Sequence, residues 1–547
     1  VQSYNVIFDK LKLKVSENSI FVDKSNLKLD KITATFEGKI ENYKNKPAGN
    51  FKISALIPNN NKLFAIKNSK IARLETNVIL NKNKLSILDC NIFSSGSKVL
   101  SASGNVLNFS ESLDRTYLSN FKIFINEKTG FLLPELGTSF EAKGNLFVSG
   151  SLNSPEIDGN LNLYNVKSKQ FNLFVQDLIL NLKKSSAYIN IAHGKIFGFD
   201  FDLVAQGKYA SNKILVDFAN FSSTYVNLDN FEKYFSKSNF DVEIENLKGN
   251  ILSLEAMNML LNSVYFEGEY KNNVLKLNDF RADIFNGRIT GTLLTNLKTQ
   301  KTTADVVLKE INVRLLTNGV KELKALSIAA SGKLSSLIKT DFIGYDFENI
   351  LKTMSGYVKF NINDGELSQF AKLERFLQAG NILSQSVLKL TLNSTISTIT
   401  KQNTGDFKTI EGTVKINGSN ADIQYIKTQG SNMSLFVTGR FNLISQNCNV
   451  KVLGRIPLST VSVLGPIGKF STEQIVNKMS DDAKDIIKSI TVSPIEKMLS
   501  AEIPNEEVAK IPPLAYDSTL PTREFIVRVL GNAQSASSVK YFKWKAR

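Results

Sequence analysis

Histidine, cysteine and tryptophan are scarce in this sequence, which has one His, two Cys and one Trp in 547 residues. A Ser–His–Asp arrangement would have to use His193, and a zinc site with four Cys and His ligands cannot be assembled. The P-loop, GxGxxG, GxSxG and HExxH motifs are absent as well. We therefore expect a protein that is not an enzyme and that uses no cofactor and no metal.

The three residues with reactive side chains have unremarkable sequence contexts. His193 lies in Ile-Ala-His-Gly, at a strand end beside a turn, where an exposed or hydrogen-bonded histidine is more common than a catalytic one. Cys90 and Cys448 are far apart, and neither belongs to a CxxC motif. Two small buried residues are the favoured interpretation, and a disulfide between them stays open.

Long apolar runs are also missing. No stretch approaches the roughly 18–20 apolar residues of a transmembrane helix. The start shows no basic, apolar and small-residue succession typical of a signal peptide. Because the chain starts at Val1 and enters a strand-like segment directly, we expect the numbering to begin inside a longer precursor.

Alternation of apolar and polar residues is the dominant pattern from one end of the chain to the other. Residues 10–15 read Lys-Leu-Lys-Leu-Lys-Val, which gives a strand one apolar and one charged face. Similar segments recur and end in turns rich in Gly, Asn and Asp. The residues predicted to share apolar strand faces are Leu11, Leu13, Val15, Leu161, Leu163, Leu275, Leu277, Val358, Phe360, Ile362, Leu435, Val437, Phe441 and Leu443.

Helical periodicity is confined to a few places in the C-terminal third. Phe370, Leu373 and Leu377 predict a helix over about 368–380. A capping box at 471–474 opens an amphipathic stretch that predicts helix over about 472–500. Four prolines between 503 and 521 predict an irregular crossing segment.

One-sided strands need a surface against which to place their apolar face. No clear linker divides the chain before the proline-rich stretch, so we predict a mainly β fold. Its form would be an elongated, curled antiparallel sheet (a β-taco, or groove), with a few short helices near the C-terminal end. Roughly 30 strands at about 4.8 Å would give a trough on the order of 140 Å long, suited to lipid acyl chains. Ordinary sandwich cores closed by a second sheet are the alternative.

Several segments resemble the AsmA-like family of bacterial envelope proteins, of the TamB and YhdP types. Residues 150–163, Gly-Ser-Leu-Asn-Ser-Pro-Glu-Ile-Asp-Gly-Asn-Leu-Asn-Leu, are similar to its repeated glycine, proline and glycine-led strand motif. Residues 279–291 resemble its pattern of a short apolar pair, a glycine turn and another strand. The most specific part is the order of segments 356–367, 410–416, 432–439, 455–458 and 465–468, which resembles the C-terminal region of the YhdP type.

This resemblance implies a non-enzymatic bridge that carries phospholipids between the inner and outer membranes and supports outer-membrane integrity. The expected location is the periplasm or cell envelope of a diderm bacterium, with an inner-membrane anchor at an N-terminal helix that this chain lacks. The implied partners are phospholipid, whose acyl chains occupy the groove, the two membranes, and outer-membrane proteins as further candidates. The expected organisation is N-terminal groove repeats over 1–225, a central AsmA/TamB-like segment over 226–345 and an AsmA-like C-terminal region over 346–547.

The net charge of +16 raises the question of nucleic acid. The lysines are scattered along polar strand faces and turns, which favours a solvated outer face, and we expect no nucleic-acid partner. Anionic lipid headgroups suit the same charge. Two alternative functions remain at this point, a structural or adhesive β protein of the cell surface and an assembly factor for outer-membrane proteins.

Overall fold

The structure, a computed structural model, describes most of the chain. The described ranges are 6–29, 31–59, 65–67, 69–109, 115–134, 137–169, 172–210, 213–229, 241–256, 259–319, 331–366, 405–445, 447–457, 503–532 and 539–544. The helices predicted at about 368–380 and 472–500 lie outside these residues.

Strands account for most of the described residues, and the mainly β prediction is confirmed. The strands of the first half are β1 Val6–Val15, β2 Ser19–Leu29, β3 Ile32–Glu41, β4 Ala48–Pro58, β5 Ala65–Ile66, β6 Ile71–Asn81, β7 Lys84–Ser94, β8 Ser97–Leu107, β9 Tyr117–Leu133, β10 Thr138–Ser151, β11 Ser154–Ser168, β12 Leu173–Lys183, β13 Ser186–Ile196, β14 Phe199–Ala210, β15 Lys213–Asn227, β16 Asp241–Ala256 and β17 Met259–Lys271. Those of the second half are β18 Val274–Ile284, β19 Gly287–Asn296, β20 Lys301–Asn312, β21 Lys333–Ile343, β22 Ser355–Glu366, β23 Asp406–Asn417, β24 Asn420–Gly430, β25 Ser434–Asn442, β26 Asn447–Pro457, β27 Thr522–Asn532 and β28 Val539–Trp544.

The chain forms two compact units, which we describe separately. The N-terminal unit comprises residues 1–253 and 267–272, and the C-terminal unit comprises 254–266 and 273–547. The limits predicted at 225/226 and 345/346 remain predictions.

Within each unit, strands that follow one another in the chain pair antiparallel. This holds from β1 to β4, from β6 to β15, and from β18 to β28, and β4 pairs with β6. Among the described pairings, β1 has β2 as its one neighbour and β28 has β27. Each unit is therefore an open antiparallel meander, as the short turns of the sequence predict.

Turns and bulges curl these sheets. The Asn272-Asn273 and Phe285-Asn286 turns have positive φ at both residues, which matches the right-handed twist of tight hairpins. Inside strands, His193 and Glu310 also have positive φ, and the register shifts beside each of them. Such β-bulges bend the strand and increase its local twist, so the sheets are curled and not flat.

The described residues include three short helices, α1 Val313–Gly319, α2 Phe347–Thr353 and α3 Asn505–Val508. In α2, the Asp346 side chain caps the N-terminus by accepting from the backbone N–H of Asn349 at 2.9 Å. This hydrogen bond lowers the pKa of the Asp346 carboxyl. The sequence pattern did not single out α1 and α2, because two turns are too few for helical periodicity to exceed that of the flanking strands. No described helix is long and apolar enough to cross a bilayer.

A short crossing strand closes one end of the apolar face in the N-terminal unit. β5 leaves its neighbours in the chain and pairs with β9, where Ala65 is opposite Leu132 and Ile66 is opposite Phe131. Ile66 and Phe131 are buried in one cluster with Ile57. The cluster also contains Ala72, Ile92, Val99 and Ala142.

An ion-pair group on the opposite face holds the residue after β5. The Glu141 carboxylate lies 3.2 Å from Lys128 Nζ and 3.9 Å from Lys67 Nζ, and it accepts from Asn165 Nδ2 at 3.4 Å. Partial burial raises the pKa of Glu141, but the hydrogen bond and charge of Lys128, with Asn165 and Lys67, outweigh it and lower the pKa overall. The ionised carboxylate therefore stabilises this corner.

We expect Glu141→Gln to loosen the β5 crossing in a pH-dependent way. Because the folded-state pKa is lowered, the contribution of Glu141 is present above its unfolded pKa and is lost as pH falls through the folded value. Hydrogen exchange at the Lys67 amide, which donates to Gly130 O, should be faster in the variant at pH 7, and the difference should shrink as the pH falls through the lowered pKa of Glu141. Glu41→Gln, at an exposed pair with Lys39, is the control, and equal exchange at pH 7 would contradict the assignment.

A strap covers the outer face at the C-terminal end of the second unit. Ile503 and Ile511 are buried against Leu453 and Ile526. Arg455 donates to the carbonyls of Val508 and Ile511 at 3.1 and 3.0 Å. The Ser434 hydroxyl donates to Pro513 O at 2.8 Å, and Glu507 pairs with Lys451. Apart from α3 the segment is irregular, as its prolines predict.

Candidate functional site: a continuous apolar face in each unit

Residues directly opposite each other in an antiparallel pair place their side chains on the same face. The register of the N-terminal unit can therefore be followed from strand to strand across fourteen strands. At every step of one such row the residue is apolar or glycine. The row is Phe8, Leu27, Ala34, Ala55, Leu74, Ile92, Leu100, Ile125, Gly144, Leu161, Leu180, Ile189, Ala205 and Ala219.

The C-terminal unit has an equivalent row across ten strands. Eight of its ten residues are apolar, and the other two are one glycine and one serine. The row is Ala282, Ile289, Leu308, Ser336, Phe360, Gly412, Ile426, Val437, Val452 and Val527. Parallel rows pass through Leu277 and Phe441, and through Val358. Each unit thus has one mainly apolar face that can be followed from strand to strand across the bulges of its sheet.

The residues predicted from alternation lie on these faces. In the C-terminal unit, Val358, Phe360, Ile362, Leu435 and Val437 come together over neighbouring strands. Leu275, Leu277 and Phe441 lie on the same face. In the N-terminal unit, Leu161 and Leu163 lie on the face of the first row, opposite Leu180 and Leu178.

Burial along the faces is partial. Val358, Phe360, Ile362, Val437 and Leu161 are half-buried, whereas Leu277 and Leu435 are 8% and 7% exposed. A sandwich core closed by a second sheet would bury such residues throughout. Within the described residues, each face is closed at local clusters and accessible between them.

Four of the predicted residues differ from the rest. Leu11, Leu13 and Val15 of β1 are 50%, 48% and 64% exposed, because β1 has a described neighbour on one side only. Leu443 was predicted to continue the strand face of Phe441, but β25 ends at Asn442 and Leu443 starts the following turn, where its N–H donates to Ser419 O. The Asn442 side chain accepts from Ile444 and Ser445 and ends the strand there.

Phenylalanines packed on glycines form part of the floor of both faces. A Cβ on Gly412 would lie 2.8 Å from Phe360 Cζ, and one on Gly454 would lie 2.2 Å from Phe525 Cζ. The same arrangement recurs as Phe51 on Gly38, Phe121 on Gly104, Phe201 on Gly194 and Phe407 on Gly365. Because glycine has no side chain, each ring occupies space on the neighbouring strand that a Cβ would otherwise fill.

Several hydroxyl groups on the apolar face are hydrogen-bonded within the sheet. Thr295 and Thr302, both buried, share a hydrogen bond of 2.9 Å. Ser336 donates to Lys359 O at 2.9 Å. These groups therefore add little polarity to the face.

The opposite face of the C-terminal unit is charged. Lys339 pairs with Asp305 at 2.6 Å, and Arg440 pairs with Asp422 at 2.6 Å. The hydrogen bond and charge of each aspartate raise the pKa of its partner. These exposed pairs contribute little to stability, but they show that this face is charged and exposed to water.

The chemically reactive residues do not form a centre. His193 is exposed at its bulge, where its backbone N–H donates to Asp202 Oδ1 at 2.8 Å. Cys90 and Cys448 are free thiols on the apolar faces of different units, and burial raises the pKa of both. Among the described residues, no three His, Cys, Asp or Glu side chains are grouped as metal ligands.

Alternation found single strands of this site but not the site as a whole. Small residues such as Ala55, Gly144 and Ala205 belong to the apolar rows, yet they give no hydrophobic signal in the sequence. The pairing of each Phe with a Gly on the adjacent strand is visible only once the register is known. No protein-family model and no curated protein matches the chain.

Proposed function

We propose that this chain is a non-enzymatic lipid conduit, in which the apolar face of each unit holds phospholipid acyl chains. The observation that carries this proposal is the row of apolar residues and glycine across fourteen strands in one unit, with an equivalent row across ten strands in the other that Ser336 alone interrupts. Partial exposure of these rows leaves apolar surface for a ligand, and burying it against acyl chains is favourable by about 25 cal/mol per Å².

Transport along such a face needs no bond to be made or broken. Acyl chains would exchange one apolar contact for another as they slide from strand to strand, while headgroups stay in water. The Phe–Gly pairs support this proposal because they add apolar ring surface to the face. A bridge of this kind between the two membranes of a diderm envelope, with outer-membrane integrity as its purpose, is what the AsmA-like resemblance adds to the proposal.

Photo-crosslinking tests the conduit directly. A photoreactive amino acid at Val358 or Leu161 should capture phospholipid in cells, because both residues are half-buried on the apolar face. The same amino acid at Lys359 or Asn162 gives the matched control, since each is adjacent in the chain and exposed on the opposite face. We expect at least tenfold more lipid adduct, equivalent to about 1.4 kcal/mol, at the apolar positions.

Equal capture on both faces, or none on either, would contradict the proposal. Mass spectrometry of each adduct identifies the lipid and shows whether the crosslink joins the acyl chain or the headgroup. A second sheet or a protein partner captured at Val358 in place of lipid would instead favour the structural or adhesive function.

A further inference from the structure

The hairpin ends along one rim of the N-terminal unit are joined by backbone hydrogen bonds. Asn42 N–H donates to Asn18 O at 2.7 Å, Lys82 N–H to Pro47 O at 2.7 Å, and Asn108 N–H to Asn83 O at 2.7 Å. Further along, Leu152 N–H donates to Thr116 O at 3.0 Å, and the Lys184 N–H donates to the Asp158 carboxylate at 2.9 Å. The turns therefore form a continuous rail along the border of the apolar face.

Four of the five residues that donate these bonds have an unusual backbone. Asn42, Lys82, Asn108 and Lys184 all have φ between 49 and 55°, in the left-handed region. Asparagine tolerates this region, whereas lysine is uncommon there. Lys82 and Lys184 are thus held at fixed points of the rim with their side chains exposed.

The rail is basic. Its described turns are 16–18, 42–47, 82–84, 108–109, 115–116, 152–153 and 183–185, and Glu17 is the one acid in them, with Asp158 of β11 beside the last. They present the exposed side chains of Lys44, Lys46, Lys82, Lys84, Lys183 and Lys184. Within the described residues, these six lysines form no ion pair with an acid, whereas Lys14, Lys28 and Lys39, on nearby strands, are each paired with one. Residues 110–114, which include Glu111 and Asp114, lie outside the described part of this rim.

We propose that this basic rim binds the phosphate groups of anionic phospholipids whose acyl chains lie on the adjoining apolar face. The inference rests on the proposed conduit and adds headgroup selectivity to it. The lysines form two groups on this rim: the hairpin ends at 42–47 and 82–84 are two strands apart, about 10 Å, whereas 183–185 lies six strands further on, about 30 Å. Exposed lysines act within a Debye length of about 8 Å at physiological salt, so each charge is felt locally.

The test uses the full chain loaded from vesicles of equal phosphatidylglycerol and phosphatidylcholine, with bound lipid counted by mass spectrometry. The rim variant carries Lys82→Gln, Lys84→Gln, Lys183→Gln and Lys184→Gln. The control variant loses the same charge on the outward strand face, through Lys52→Gln, Lys122→Gln, Lys143→Gln and Lys208→Gln. We expect the bound ratio of phosphatidylglycerol to phosphatidylcholine to fall about fivefold in the rim variant, with total lipid and the control unchanged.

The possible failures are distinguishable. An unchanged ratio in the rim variant, with lipid still bound, would overturn the inference and leave the conduit intact. No bound lipid in any of the three proteins would contradict the conduit itself. A rim variant that no longer sediments with phosphatidylglycerol vesicles but keeps its bound-lipid ratio would assign the lysines to a bilayer surface and would also overturn the inference.

Discussion

Val358→Asp should reduce lipid capture and transfer by at least tenfold without unfolding the protein. Val358 is half-buried in the middle of the apolar face, with Ile338 and Val414 directly opposite on its two neighbouring strands. An ionised carboxylate there would have to lose water whenever an acyl chain passed, which costs several kcal/mol for an unpaired charge. Its half-exposed position lets the carboxylate stay hydrated in the empty protein, so folding is affected less than transport.

Lys359→Glu is the matched control, because Lys359 is the next residue in the chain and is exposed on the opposite face. Transfer of fluorescent phospholipid between donor and acceptor vesicles measures the activity, and circular dichroism checks the fold of both variants. Normal transfer by Val358→Asp would show that acyl chains do not pass over this strand. Equal loss in both variants would point to a general effect on the sheet.

Gly454→Val should destabilise the C-terminal end of the second unit by about 3 kcal/mol. The new Cβ would lie 2.2 Å from Phe525 Cζ and 2.7 Å from Leu435 Cδ2. Phe525 is 0% exposed and packs with Met433 and Ile456, so the ring cannot move aside without disturbing the whole cluster. The amides of β26 and β27 should lose hydrogen-exchange protection first.

Combining the substitution with Phe525→Ala tests this cause. Alone, Phe525→Ala should cost about 3–5 kcal/mol by leaving a cavity. In the double variant, the valine would occupy part of that cavity. The loss of unfolding free energy in the double variant should therefore be clearly smaller than the sum of the losses in the two single variants. Strict additivity would show that the ring and the glycine do not constrain each other.

Period-two alternation was enough to predict the fold class and the residues of single strands. In segments such as 356–362, the residues that the sequence predicts to share an apolar face do share one in the structure. Alternation suffices there because one face of the strand is apolar and the other is exposed to water. Alternation contains no information about which strand lies beside which, so the rows that join Phe360 to Gly412 and Val437 could not be derived from it. β5 was missed for a related reason, since a strand of two residues has no periodicity to detect.

The arrangement of the lysines is the feature that the sequence alone described least well. Counted along the chain, the lysines are scattered, and no dense run marks a binding surface. Antiparallel pairing brings hairpin ends from positions 44, 82 and 184 to a single border of the sheet. A basic rim can therefore arise from residues more than a hundred positions apart, which composition and short motifs do not show.

Each unit has one cysteine to which a fluorescent probe can be attached. Cys90 lies on β7 of one unit and Cys448 on β26 of the other, each on the apolar face, and the chain has no further cysteine. A polarity-sensitive fluorophore attached to one thiol, with the other replaced by serine, would respond to solvent exclusion in that unit alone. The order in which the two dyes change after lipid is added would then give the direction of filling.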